Sequence, residues 1–173
     1  MRTLVLAALP ALFASAALAA APPDAAIAPK TVAPVTVMPR TDPPKIASSF
    51  PASGQVVAAG VLILHITFDQ KMDEKGFAFV AAPGGAMPKC LNTPRLLNDE
   101  KTFVLLCTTL PSSSYALAFN AAPHGGFANI GGTRAVPALL RFATSSDVGP
   151  RNLDDALKVA NLTGEDVPIA IAP

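Results

Sequence analysis

The most regular stretch of the chain is Val61–Phe68, "VLILHITF", where apolar residues recur at every second position. Leu62, Leu64, Ile66 and Phe68 share one face, and Val61, Ile63, His65 and Thr67 the other. A period of two is that of a β-strand. Both faces are largely apolar, which predicts a strand covered on both sides near the middle of a sandwich. The same alternation recurs in "TFVLLCT", which sets Phe103, Leu105 and Cys107 against Val104 and Leu106. It recurs again in "YALAF" (Tyr115, Leu117, Phe119) and "ALLRFATS" (Leu140, Phe142). "KIASSF" reads as a first strand stopped by Pro51 and the turn "PASG", and "FAFVAA" as another with Phe77 and Phe79 on one face. "RLLNDEKTFVLLC" reads as a hairpin whose two-residue turn, Asn98-Asp99, pairs Leu97 with Glu100. Together these give about seven short strands separated by turn signals, with no helical period, an all-β sandwich. Leu64, Ile66, Phe68, Phe119 and Phe142 are its expected shared core.

The pattern changes outside residues 45–146. In "NLDDALKVANL", Leu153, Ala156, Leu157 and Ala160 fall at helical spacing. Asn152 is placed to cap this helix, and Asp154 and Asp155 suit its positive end. A helix of about two turns is too short to stand alone, so the tail 147–173 is expected to dock on the sandwich. "VPIAIAP" ends it as an extended apolar piece suited to a sheet edge. Residues 20–44 alternate Pro with small and apolar residues, which excludes a helix and predicts an extended Pro/Ala-rich arm. Residues 1–19 combine Arg2, an apolar run from Leu4 to Leu18, and small residues at Ala17 and Ala19. That is the layout of a cleaved secretory signal peptide, and the run is short for a membrane span. The expected location is periplasmic or secreted, with no transmembrane anchor in the mature chain.

Charge narrows the partner class. Removing Arg2 with the leader takes thirteen basic residues to twelve, against twelve acidic. A chain so balanced lacks the clustered Lys and Arg that nucleic acid requires. The two cysteines, Cys90 and Cys107, read as a disulfide in an exported chain. The hairpin register places them directly opposite each other, within reach of a bridge. Pro94 interrupts that ladder and invites a slip or bulge.

"SSFPASGQVV" followed by "LILHITFDQKMD" resembles the start of a bacterial immunoglobulin-like domain of the SbsA (S-layer) type. Ser49, Pro51 and Gly54 match that family's turn; Leu64, Ile66, Phe68, Met72 and Asp73 match its first long strand. "NDEKTFVL", "LPSSSYALAF" and "LLRFATSS" follow in the family's order, so the resemblance covers about residues 45–146. Where the family often has Ala-Gly-Asn before its last strand, this chain reads "ANIGGT". The resemblance implies an Ig-like sandwich serving as a scaffold or binding module.

Candidate chemistry is sparse. His65 lies on a strand and reads as packed against the sheet. His124, in "PHGG", lies in a Gly-rich loop where functional residues gather. The periplasmic copper-resistance carriers are also small sandwiches with a similar opening, but their N-terminal histidine has no counterpart here. "PHGG" is the one echo of their site. Asp69, Asp73 and Glu74 are a candidate calcium loop, weakened by the interleaved lysines of "FDQKMDEK". "LPSSSY" offers serines without a nucleophile-elbow pattern. A sugar platform wants exposed aromatic rings, and the chain has no Trp and one Tyr, expected inward. The expectation is therefore a non-enzymatic module without a cofactor, binding a protein or a cell-envelope component. A copper carrier is the alternative, and a hydrolase a more distant one.

Overall fold

The computed structural model describes residues 42–91, 93–123 and 125–166. The expected leader at 1–19, the arm as far as Thr41, His124, and Val167–Pro173 lie outside the described residues. The strands are β1 (Ile46–Phe50), β2 (Val56–Ala59), β3 (Val61–Phe68), β4 (Phe79–Ala81), β5 (Lys89–Cys90), β6 (Arg95–Leu96), β7 (Thr102–Thr108), β8 (Ser114–Phe119) and β9 (Ala138–Val148). Helix α1 (Leu153–Val159) and a 3-10 turn (Gly164–Asp166) follow. One sheet runs β1-β3-β7-β5, with β6 also on β7; the other runs β2-β9-β8-β4. Every pairing is antiparallel except β2 with β9. The described residues thus form an all-β sandwich with one short helix, as the periodicity predicts.

The strand count exceeds the expected seven for two reasons. Val56–Ala59, too short and too mixed to show a period, pairs in parallel with β9 and adds a strand. The first arm of the 95–107 hairpin is also broken into β5 and β6. Its turn corrects the expected one. Leu97 N–H bonds to the Thr102 carbonyl at 2.8 Å, so Leu97 faces Thr102 rather than Glu100. The cause is Asp99. Its Oδ1 accepts from the amides of Lys101 and Thr102, both at 2.9 Å, and its Oδ2 accepts from the Thr102 hydroxyl at 2.6 Å. Glu100 adopts φ 57° to close this wider four-residue turn. The register returns at the cysteines: Arg95 faces Val104, whereas Cys90 faces Cys107. Four residues (91–94) therefore oppose two (105–106), and the excess bulges out around Pro94.

The alternation of β3 decides both layers. Leu62, Leu64, Ile66 and Phe68 enter the core between the sheets with Phe103, Leu117, Phe119 and Phe142. On the opposite face, Ile63 joins Val104 and Leu97 beneath Ala156, Leu157 and Ala160 of the helical tail. Asn152 caps α1 by accepting from the Asp155 amide at 2.9 Å. The strand-to-helix connection crosses close over the start of β3, where Val61 N–H bonds to the Pro150 carbonyl at 2.8 Å. Gly60, at φ 142°, leaves room there, since a Cβ would collide with that same carbonyl.

Phe127 lies outside the strands and yet occupies the centre of the core. Its ring is 5.0 Å from Phe103, 5.2 Å from Phe68 and 5.2 Å from Phe79. Buried Asn120 holds it there. Its Nδ2 donates to the carbonyls of Phe127 (2.7 Å) and Ala135 (3.0 Å), and its Oδ1 accepts from the amides of Gly126 (3.0 Å) and Phe127 (2.7 Å). One side chain thus satisfies four buried backbone groups of the Gly-rich connection.

Phe127→Ala should cost as much as Phe68→Ala, ~3–5 kcal/mol by urea unfolding. Lys71→Ala, which removes an exposed ion pair with Glu100, should cost less than ~1 kcal/mol. A Phe127→Ala loss as small as that of Lys71→Ala would refute the central position of this ring.

Candidate functional site

Cys90 and Cys107 are disulfide-bonded, with their Cα atoms 3.9 Å apart on the facing strands β5 and β7. Cys107 is buried in the core cluster and Cys90 packs against it. The bond therefore fixes the sheet edge where the ladder is weakest, next to the bulge.

His65 is sheet-packed, as its position on β3 predicts. Its ring stacks on Phe50 of β1, with centroids 5.8 Å apart and planes 18° from parallel. Its Nδ1 is buried without a hydrogen-bond partner. Burial pushes its pKa down, and the neighbouring Ala160 backbone partly offsets this. Along the same outer row of the sheet lie Val104 and then Arg95, whose Nη1 donates to the Glu165 carbonyl at 2.9 Å. Arg95 therefore ties the tail to the sheet. The charged side chains on the overlying helix are Asp154, Asp155 and Lys158.

The candidate calcium loop is spent on local structure. Asp69 Oδ1 accepts from the Lys45 amide and Asp73 Oδ1 from the Lys75 amide, both at 3.0 Å. Lys71 pairs with Glu100. Among the described residues, no three His, Cys, Asp or Glu side chains converge as a metal set. His124 lies outside the described residues. The serines of "LPSSSY" belong to the turn into β8, where Ser113 Oγ donates to the Pro111 carbonyl at 3.0 Å. They are in the other sheet from His65. Tyr115 points inward, stacked on Phe142 at 5.1 Å, and its hydroxyl accepts from the Leu110 amide at 2.8 Å. Asp99 is held below the usual carboxylate range. Burial opposes this, but the bonds from Thr102 and Lys101 and the Lys101 charge outweigh it.

The two outer faces of the sandwich differ. That of the β1-β3-β7 sheet is covered by α1. On the β2-β9-β8-β4 sheet the outward positions are Val80, Ala116, Ala118, Leu139, Arg141, Ala143 and Val56, by alternation with the inward Leu117, Leu140 and Phe142. Leu139 is 52% exposed and Val56 62%, whereas Ala118 is 1% exposed. This partly open face did not stand out in the sequence. The signal was the Leu139-Leu140 pair, since only one of two adjacent apolar strand residues can face the core. Among the described residues no helix is long and apolar enough to cross a membrane. No protein-family model matches the chain, and no curated protein matches it.

Two outcomes follow. The Cys90→Ala/Cys107→Ala pair should lose about 3 kcal/mol of unfolding free energy, the loop-closure term for a separation of 17 residues. Acidification should also weaken the fold in two steps. A His with a lowered folded pKa takes up its proton more readily unfolded, so its contribution is full above its ordinary range, falls as pH drops through about 6.5, and levels off below the folded value. Asp99 has the same sign at lower pH: its stabilisation is present above the ordinary Asp range and is lost as pH falls through its depressed value. The urea midpoint of the wild type should fall between pH 8 and pH 5, and that of His65→Phe should fall less, if the first step belongs to His65.

Proposed function

We propose that this chain is an exported, non-enzymatic module of the immunoglobulin-like type, related to the SbsA-type bacterial domains, that binds a protein or envelope component through the outer face of its four-stranded sheet. The observation carrying this reading is the difference between the two faces: one is packed under the chain's own helix, and the other carries the exposed side chains of Leu139 and Val56. An apolar face left open on an otherwise covered sandwich is typical of an interaction surface.

Topology supports the immunoglobulin-like assignment. The order β1-β3-β7-β5 against β4-β8-β9 is that of strands A-B-E-D against C-F-G. The Tyr115 hydroxyl reaching back five residues to Leu110 resembles the tyrosine corner of such sandwiches. Export is supported by the leader pattern of residues 1–19 and by a disulfide, which persists in oxidising compartments. The face holds no aromatic ring on which a sugar would stack, so a polypeptide or other apolar envelope surface suits it better.

Leu139→Asp should leave the melting temperature within a few degrees of wild type, because the side chain is solvent-exposed. In cross-linking on intact envelopes it should abolish the adducts formed by the wild type. Identical adducts from both proteins would remove the face from the binding site. Calorimetric titration with Cu(II) and Cu(I) should give no saturable heat; tight, stoichiometric binding would replace this reading with that of a metal carrier.

A further inference from the structure

Two loops frame a cleft of about 490 Å3 on the outer face of the four-stranded sheet, over Ala116 of β8 and Arg141 and Ala143 of β9. On one side the chain leaves β4 and returns to β8. The Ala82 amide bonds to the Ala116 carbonyl, and the Ala116 amide to the Ala86 carbonyl, both at 2.9 Å. The residues between them lie over the sheet, since a Cβ on Gly85 would stand 2.6 Å from that of Ala116. On the other side the turn before β2 runs beside β9. There the Gly54 amide bonds to the Arg141 carbonyl at 2.7 Å, and the Ala143 amide to the Gln55 carbonyl at 3.0 Å. Gly54 and Gly84 line the cleft, and a Cβ on either would meet nothing within 4 Å, so both walls stand clear of its space.

Arg141 is the charged residue of this cleft, and its lining holds no acid. It faces outward by alternation with the buried Leu140 and Phe142, and it is exposed. Strands β2, β4 and β8 carry no charge at all. On β9 the other charge is Asp147, roughly 20 Å further along the strand. The loops on both rims, residues 51–55 and 82–88, are uncharged as well. Among the described residues the Arg141 guanidinium has neither an ion-pair nor a hydrogen-bond partner. A guanidinium presents five N–H donors in a planar fork, which matches the two oxygens of a carboxylate. Leu139, 52% exposed, occupies the next outward position of the same strand, roughly 7 Å away.

We propose that Arg141 takes the side-chain carboxylate of an Asp or Glu in an extended segment of a protein partner, and that an apolar residue two positions away in that segment seats against Leu139. The inference rests on the reading of this sheet face as the contact surface, and it names the chemistry that the face selects. Alternate residues of an extended chain project on one side at roughly the same 7 Å spacing, so one short segment meets both side chains. A second copy of this chain does not suit the cleft. A two-fold contact centred there sets Arg141 against its own copy, with no carboxylate on either face to separate them. An anionic membrane does not suit it either, since such a surface is held by clusters of basic residues rather than by one.

Two measurements with the full chain on intact envelopes test it. Arg141→Gln should melt with the wild type, because the side chain is exposed, yet form at least tenfold fewer cross-linked adducts. A water-soluble carbodiimide joins an amine to a carboxylate in contact with it. With Arg141→Lys it should form an amide at position 141 to an Asp or Glu side chain of another protein, one with an apolar residue two positions from it. Adducts unchanged in Arg141→Gln but abolished in Leu139→Asp would overturn this inference and leave the reading of the face standing. Adducts unchanged in both variants would overturn both. Coupling at position 141 to a second copy of this chain or to a lipid carboxyl, or no coupling there, also overturns the inference.

Discussion

The architecture depends on β3 having no polar face to give to water. A strand with one apolar face can end a structure; one apolar on both must be covered twice. Leu62, Leu64, Ile66 and Phe68 are covered by the second sheet, and the β2-β9-β8-β4 layer is what that coverage requires. Ile63 on the reverse, with Val104 beside it, needs a third layer, and the chain supplies Ala156, Leu157 and Ala160. The helix is seven residues long, too short to persist unless it is packed. Each therefore stabilises the other: the sheet lends the helix a surface, and the helix removes from water a patch the sheet cannot hide. The small side chains of Ala156 and Ala160 let the helix lie close, while Leu157 supplies the bulk.

The weak side of the molecule is the opposite edge. Between β4 and β5 the ladders are two or three residues long, a proline interrupts one of them, and four residues stand against two. Backbone pairing contributes little over so short a span. The disulfide acts where pairing cannot, holding Cys90 to Cys107 on the far side of the bulge from Arg95 and Leu96. At the bottom of the same edge, Asp99 stabilises the hairpin turn with three hydrogen bonds from its own side chain. Covalent and side-chain constraints thus replace a regular ladder along this margin.

The strands that carry the core were legible in the sequence because burial imposes a period of two, and β3, β7, β8 and β9 display it. The helix was legible for a similar reason, with Asn152 and the first-turn acids marking its start. The pairing of Cys90 with Cys107 came from a register that was wrong at the turn and right at the cysteines; the two-residue bulge near Pro94 made up the difference. Three features were not legible. Val56–Ala59 is defined by a parallel partner more than eighty residues away, and nothing local announces it. The four-residue turn depends on whether Asp99 bonds through its side chain or bends its backbone, which composition does not decide. Phe127 sits in a stretch of glycines that reads as surface loop, and its burial depends on Asn120 satisfying backbone groups that would otherwise need water.

That last point bears on why the candidate chemistry dissolved into structure. Asp69 and Asp73 of the candidate calcium loop behave as Asp99, Asn120 and Asn129 do. Each accepts from backbone amides in a segment with too little regular structure to satisfy itself. In a small sandwich with long connections, many amides fall outside the ladders, and carboxylate and amide side chains are drawn in to meet them. A group so engaged is held in place by the backbone it serves. The outer face of β9 and β8 needs less of such service, because its backbone lies within the ladders, and it is there that we place the proposed contact.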